Sequence, residues 1–482
     1  MKQLVFKSTL FIILLIGMLS LLDDVFIYKK TGPVALVNSF YEAAKNEIDI
    51  LCLGNSHMNR GIDPILLEAK TGLRTEMLVG GGLEIAHIYY NLRNALETQR
   101  PKLVIIETYP LSMRNSINNK ANNEITQTLF GYKTMMKYGA FTYRGMAVGK
   151  RGGDIFDRFS IFPFHEEWAE PDKFYLYLEK KKEYNSGLEF QQIQRKSPFI
   201  PQAQIDVFNT KKFDGEDIHL IPQEKRYLRK ILDLSREFNF QLMIFTVPVY
   251  DAYYKQTKEG MMLMKKQIEE LTKDYGNTSY FDYNDLLGGV DDSYLINERV
   301  IGKSQHLNYK GILQTTDAVA SFIKEQYSFG NETNTSNRNT VESFVFSGNH
   351  NSGPSLIGDV ISINGKSVYG SNQFDTITLK KWVKKVNIKG WFTSENEKDT
   401  LKSKKIILRK DDRFVFISEA EVKPWRNPLI DKLFGAEKRK FGYTFNLDKR
   451  MLLPGEYEVF HLIENSEGAF GIQKMKPLLR ID

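Results

Sequence analysis

Apolar runs and amphipathic stretches alternate through the first hundred residues. Residues 48–53 are apolar apart from Asp49, and residues 64–70 read as a helix closed by Gly72. Residues 77–79 form a second apolar run that leads into Gly80-Gly81-Gly82. From 85 to 98, Ile85, Ile88, Tyr89, Leu92 and Leu96 fall at helical spacing, and residues 102–106 form a third apolar run between Pro101 and Pro110. Strands that are apolar throughout and separated by amphipathic helices belong to a parallel sheet covered on both faces. The rhythm stops over about 112–215, a stretch rich in Lys, Asn, Tyr and Phe that reads as an insertion. It resumes with a helix over 222–238, a strand over 240–246, a helix over about 257–275, a short strand at 279–281 and a last helix ending near 327. Five strands with intervening helices predict a doubly wound α/β domain.

Residues 329–341 are polar and read as a linker. Beyond them, short alternating runs at 359–365, 386–391, 405–408, 414–417 and 457–463 are separated by turn residues, the texture of a β-sandwich. The expected organisation is a hydrophobic N-terminal segment over 1–28, an α/β domain over 29–328 with its insertion, the linker, and a sandwich over 342–482. Residues 31–46 read as a helical stem.

The N-terminal segment changes the picture of where the chain works. Lys2 and Lys7 precede an uncharged, mainly apolar stretch from Ser8 to Leu22, and Asp23-Asp24 follow it. Basic residues before such a segment and acidic ones after it orient its start toward the cytoplasm. No A-x-A-like cleavage site follows the apolar run, so an uncleaved signal anchor is favoured over a cleaved signal peptide. Either way the body of the protein is expected to be exported. Composition adds exclusions: 42% hydrophobic and 26% charged residues are globular values, and +7 over 482 residues is too dilute for a nucleic-acid-binding surface. The single cysteine, Cys52, excludes an intramolecular disulfide framework and a cysteine-rich metal site; it reads as a small buried hydrophobe. Neither a metal nor a cofactor is expected.

Ligands of open α/β sheets bind at the carboxyl ends of the strands. Three features fall there: Asn55-Ser56-His57 after the first strand, the glycine triplet after the second, and His306 before the last helix. A serine at such an end, with a histidine from the far end of the domain to take its proton, is the pairing that covalent acyl transfer requires. Backbone N–H groups at Ser56 and at the glycine turn are suited to hold an oxyanion. The plainer alternatives are a Ser56 that only caps a helix and a glycine triplet that is only a tight turn; His57 reads as a solvent-facing or substrate-contacting side chain or as a second catalytic histidine. His87, on an amphipathic helix, reads as structural.

Gly54-Asn-Ser56, the glycine turn near Gly82 and His306-Leu-Asn-x-x-Gly311 together resemble the SGNH/GDSL hydrolase superfamily. The stretch Gly54-Asn-Ser-His-Met-Asn-Arg-Gly-Ile-Asp-Pro64, with a membrane-anchored start, is similar to its envelope members, the D-alanyl transfer protein of teichoic acid synthesis and the alginate-type O-acetyltransferases. The resemblance covers 48–112 and 216–327. It implies a flavodoxin-like parallel sheet of SGNH type, with Ser56 as nucleophile, His306 as general base and Gly82 as an oxyanion donor. It also implies a polytopic membrane protein as acyl donor. Two positions depart from the family pattern. Lys303 stands where an aspartate three residues before the histidine is expected, so either Glu298, Asp291 or Asp292 supplies that carboxylate, or Ser56 and His306 work as a dyad, or the site is impaired. Glu107-Thr108-Tyr109 stands where an oxyanion asparagine is expected after the third strand, and Asn55 is the candidate to compensate.

The first expectation is therefore a single-pass, extracytoplasmic O-acyl (acetyl) transferase acting on an envelope polysaccharide. The alternatives are an esterase with the same site and a non-catalytic glycan-binding scaffold whose site has decayed. The insertion (Tyr132, Tyr138, Phe141, Tyr143, Arg144, Lys150, Arg151) reads as a glycan groove, a membrane-facing surface or a solvated lid. Trp382, Trp391 and Trp425 read as sugar-stacking or as core.

Overall fold

The computed structural model describes residues 2–26, 43–80, 83–111, 218–296, 305–329, 356–368, 376–380, 382–394, 401–410, 414–419, 421–423, 442–465 and 470–482. It also describes Phe40, Ile205, Asp206, Asn209 and Lys212. Most of the stem, the insertion and the linker, with every insertion residue named above, and Gly82, Glu298, Lys303 and Trp425, lie outside the described residues.

In helix α1 (Lys2–Phe26) the side chains of residues 2–18 are exposed. At 1.5 Å per residue its 25 residues extend roughly 37 Å, enough to cross the ~30 Å hydrocarbon core of a bilayer. Residues 2–19 are long and apolar enough to span a membrane, the pattern of a single-pass anchor or a signal sequence.

Five parallel strands, β1 (Ile50–Gly54), β2 (Thr75–Val79), β3 (Leu103–Glu107), β4 (Gln241–Thr246) and β5 (Thr278–Asp282), form one sheet in the order β2-β1-β3-β4-β5. Side chains alternate between its two faces. Ile50, Cys52, Met77 and Ile105 pack with helices α3 (Pro64–Thr71) and α8 (Tyr309–Gln326) on one face. Leu51, Leu53, Val104 and Ile106 pack with α4 (Ile85–Ala95), α5 (Pro222–Glu237) and α6 (Asp251–Thr272) on the other. A sheet buried on both sides accounts for strands with no alternation in their sequence. Cys52 is one of these core side chains, and burial pushes its thiol pKa up.

The C-terminal part holds two further five-stranded sheets. With β6 (Leu356–Ile363), β7 (Lys366–Ser367), β8 (Thr376–Leu379), β9 (Lys385–Ser394), β10 (Leu401–Lys410), β11 (Phe414–Glu419), β12 (Glu421–Lys423), β13 (Gly442–Asp448), β14 (Gly455–Asn465) and β15 (Phe470–Ile481), one has the order β11-β10-β14-β15-β8 and the other β12-β13-β9-β6-β7. The pairings are antiparallel, except that β15 (Phe470–Ile481) runs parallel to β8 (Thr376–Leu379). The sheets meet face to face where His461 of β14 (Gly455–Asn465) touches Tyr443 of β13 (Gly442–Asp448) and Phe392 of β9 (Lys385–Ser394). Strands β8, β13 and β15 carry no reading in the sequence pattern above. Polar residues such as Thr376, Asn446 and Lys474 interrupt their apolar positions.

Candidate functional site

Strand β1 ends at Gly54 because the chain turns there with no room for a side chain. A Cβ at Gly54 would lie 2.4 Å from Met58 Cβ and 3.3 Å from Glu107 Cβ. Asn55 then adopts an extended conformation and caps the short helix α2 (Ser56–Asn59), its Oδ1 accepting from the His57 N–H at 2.9 Å. The cap is therefore Asn55, not Ser56. Ser56 opens the helix, half-buried, at the carboxyl edge of the sheet. Of the Asn55 side chain, only the Nδ2 amide is a hydrogen-bond donor, the group an oxyanion would need.

His306 reaches the same edge through a different scaffold. Asn308 caps α8 by accepting from the Gly311 N–H at 3.1 Å, and its Nδ2 donates to the carbonyls of Ser293 (2.7 Å) and Leu295 (3.2 Å). The Ile296 N–H donates to the His306 carbonyl at 3.0 Å, and Gln305 Oε1 accepts from the Tyr250 N–H at 2.8 Å. Gly311 is required by close approach: a Cβ there would meet the Tyr294 carbonyl at 2.8 Å. The Asn and Gly of His306-Leu-Asn-x-x-Gly311 thus hold the backbone that carries the histidine, a role their spacing alone does not reveal.

The two segments meet through their rings. The His57 and His306 rings stand 4.9 Å apart edge to face, and His57 stacks on Tyr109 at 3.7 Å. His57 is 2% exposed, not solvent-facing, and both its ring nitrogens are buried without a hydrogen-bond partner among the described residues. Burial, reinforced by the neighbouring His306, drives its pKa well below the usual histidine value, so it is neutral near pH 7. Beneath the stack, Glu107 closes β3. Its Oε1 accepts from the Tyr109 N–H at 2.6 Å, while Oε2 is buried and unbonded among the described residues. Burial, only partly opposed by that N–H, raises the Glu107 pKa well above the usual carboxylate value and favours its protonated form. The sequence signal for Glu107 was a lone acid at the end of the otherwise apolar Leu103–Glu107 strand.

No hydrogen bond joins Ser56 to either imidazole among the described residues. Asp291 is exposed and caps a short 3-10 turn, accepting from the Ser293 N–H at 2.8 Å. Asp291 and Asp292 influence Tyr250 and Lys310 rather than bonding the His306 ring. Lys310 is bound to Ser293 Oγ at 2.9 Å and held over the Tyr294 ring; burial lowers its pKa to about 8. His87 belongs to the scaffold: its Nδ1 accepts from the Glu84 N–H at 3.1 Å at the start of α4, and burial lowers its pKa to about 4. Among the described residues no group of three or more His, Cys, Asp or Glu side chains is arranged to hold a metal.

No family model matches the chain, and no curated protein matches it. Three solved structures illustrate the structural comparison. CopC from Methylosinus trichosporium OB3b has 12% identity, covering 26% of this chain and 95% of that one, at TM-score 0.15. The endo-beta-1,4-mannanase from Thermotoga petrophila has 9% identity, covering 92% and 99%, at TM-score 0.17. The beta-glucosidase from Listeria innocua in complex with isofagomine has 8% identity, covering 90% and 47%, at TM-score 0.13. At such TM-scores these likenesses carry no inference about fold or chemistry.

Proposed function

We propose that the chain is a membrane-anchored, extracytoplasmic O-acyl (acetyl) transferase of SGNH type, with an envelope polysaccharide as acceptor. The observation that carries this reading is the 4.9 Å approach of the His57 and His306 rings beside Ser56, at the edge where open α/β sheets hold their ligands. In the proposed cycle Ser56 Oγ attacks the acyl carbonyl and His306 takes the hydroxyl proton, so an acyl-serine forms and the donor's leaving group departs with a proton. An acceptor hydroxyl then attacks the acyl-serine, gives its proton to His306, and restores Ser56. His57 supports the cycle by staying neutral, because a second cation 4.9 Å away would oppose the imidazolium that forms. Glu107, whose protonated form burial favours, would offer an O–H donor on the third strand in place of the absent asparagine amide. The Ser56 N–H is the other donor proposed for the oxyanion. The acyl group would arrive from a polytopic membrane partner, and α1 would hold the enzyme beside it.

The test is intact-mass spectrometry after exposure to 4-nitrophenyl acetate. Wild type is expected to gain one acetyl group and Ser56→Ala none; an identical gain in both would exclude the proposal. Adding a glycan acceptor separates transfer from hydrolysis by the same site, since only transfer yields an acylated glycan. One observation favours a second reading, a glycan-binding scaffold: Ser56 has no hydrogen bond to either imidazole. The same experiment decides it, because a scaffold acquires no Ser56-dependent adduct.

A further inference from the structure

Between β8 and β9 the chain makes a tight turn that exposes an indole. The Val383 N–H donates to the Lys380 carbonyl at 3.0 Å, and Trp382, at the turn's third position, is 77% exposed. The turn is locked from behind by Lys449, which is 8% exposed. Its Nζ donates to the carbonyls of Leu379 and Lys380, each at 3.0 Å, and its N–H donates to the Lys384 carbonyl at 2.9 Å. At 77% exposure Trp382 is not a core side chain in this structure. Lys380, Lys384, Lys385 and Lys389 are exposed around it, and Asp448, opposite Lys385 across the ladder, offsets part of their charge. A lone indole at a turn tip presents one convex face, not a cleft with convergent polar groups of the kind that holds a small ligand. Tryptophan settles at the headgroup level of bilayers, and lysines beside it are drawn to anionic lipid. Helix α1 is long and apolar enough to span a bilayer, and once inserted it would keep the sandwich near the membrane at high effective concentration.

We propose that this turn is a membrane contact: Trp382 enters the headgroup region of an anionic lipid surface while Lys380, Lys384 and Lys385 face lipid phosphates. The contact rests on α1 being inserted and is independent of the chemistry at Ser56. It would fix the orientation of the sandwich relative to the membrane.

The test uses the full chain in lipid nanodiscs of phosphatidylcholine alone or mixed with phosphatidylglycerol, with Trp168, Trp391 and Trp425 replaced by Phe so that Trp382 is the sole indole. Its emission is expected to shift to the blue and to be quenched by brominated lipid in the mixed discs only. Each lysine at an anionic surface is worth about fivefold, so Lys384→Gln/Lys385→Gln is expected to lower the docked-to-undocked ratio roughly thirtyfold. Hydrogen exchange of the unaltered chain gives the same readout without tryptophan replacement, as slowed exchange over 380–385 in the mixed discs. Emission and exchange unchanged between the two discs would overturn the proposal. So would a response to soluble dextran sulfate in phosphatidylcholine discs that equals the response to phosphatidylglycerol, since that would assign the turn to a polyanion.

Discussion

His57, at the rim of the parallel sheet, and His461, between the two antiparallel sheets, are both buried imidazoles, 2% and 0% exposed. Each stacks on an aromatic ring, His57 on Tyr109 at 3.7 Å and His461 on Phe392 at 4.3 Å. Their polar atoms are treated differently. His461 Nε2 is hydrogen-bonded to the Tyr443 hydroxyl at 2.6 Å, which ties one sheet to the other. His57 has no such bond at either nitrogen among the described residues, and Glu107 Oε2 nearby is equally unsatisfied. A buried polar group without a partner costs about 1–3 kcal/mol; among the described residues His461 bears this at Nδ1 only, and His57 at both ring nitrogens. The sandwich spends its histidine on cohesion, whereas the rim holds polar groups in reserve beside Ser56. Unsatisfied groups in a native structure call for a physical reason, and the proposed site would supply one for His57 and Glu107.

The largest effect that would break this contrast is catalytic. Ser56→Ala is expected to lower turnover of an activated acyl ester on the order of 10⁴-fold or more, and His306→Gln by about 10²–10⁴-fold. Steady-state kinetics with melting curves as a folding control check both. If either variant kept wild-type rates, the rim would be no more functional than the sandwich interior.

Stability separates the two histidines by sign. His461→Phe leaves the buried Tyr443 hydroxyl without its partner and is expected to cost about 1–3 kcal/mol. His57→Phe removes two unbonded nitrogens while keeping a ring against Tyr109, so it is expected to stabilise by about 1 kcal/mol while impairing catalysis. Denaturant unfolding of the two variants measures both changes, and changes of the same sign would refute the distinction.

Smaller still are the pH slopes. Burial, with a lesser effect of Lys404, lowers the His461 pKa to about 3. Between an unfolded value near 6.5 and that folded value, the unfolded chain holds a proton that the folded chain lacks. Stability therefore falls as pH drops through this window, by about 1.4 kcal/mol per unit at most, and His461→Phe removes that component. Glu107 acts in the opposite direction. Its folded pKa is raised, so above the unfolded carboxyl value the folded chain keeps a proton that the unfolded chain releases, and stability falls as pH rises. Glu107→Gln is expected to flatten that side. Unfolding measured across pH 4 to 8 in the two variants resolves the components (about four units suffice at that slope).

Much of the parallel sheet was legible because burial on both faces writes uninterrupted apolar runs. The sequence reading of 48–53, 102–106 and 240–246 lies within one or two residues of β1, β3 and β4. Helix α6 begins at Asp251, earlier than its apolar spacing suggested, because its first turn is anchored by the Asp251 N–H donating to the Val290 carbonyl. Strands β8, β13 and β15 were illegible because half of each faces solvent and reads as polar turn. At the rim, the sequence marked Ser56, His57 and His306 but not what surrounds them. The cap by Asn55 is a contact two residues away that the sequence left open between Asn55 and Ser56. The brace by Asn308 spans 13–15 residues of irregular chain, and the burial of Glu107 depends on packing that no local pattern records.

The most direct test of the Ser56–His306 site is labelling with a fluorophosphonate, which captures a serine only when a base draws off its proton. Peptide mapping of the full chain is expected to place the label on Ser56 in the wild type and to show its loss in His306→Gln. Label on another residue, or label on Ser56 undiminished in His306→Gln, would contradict the account.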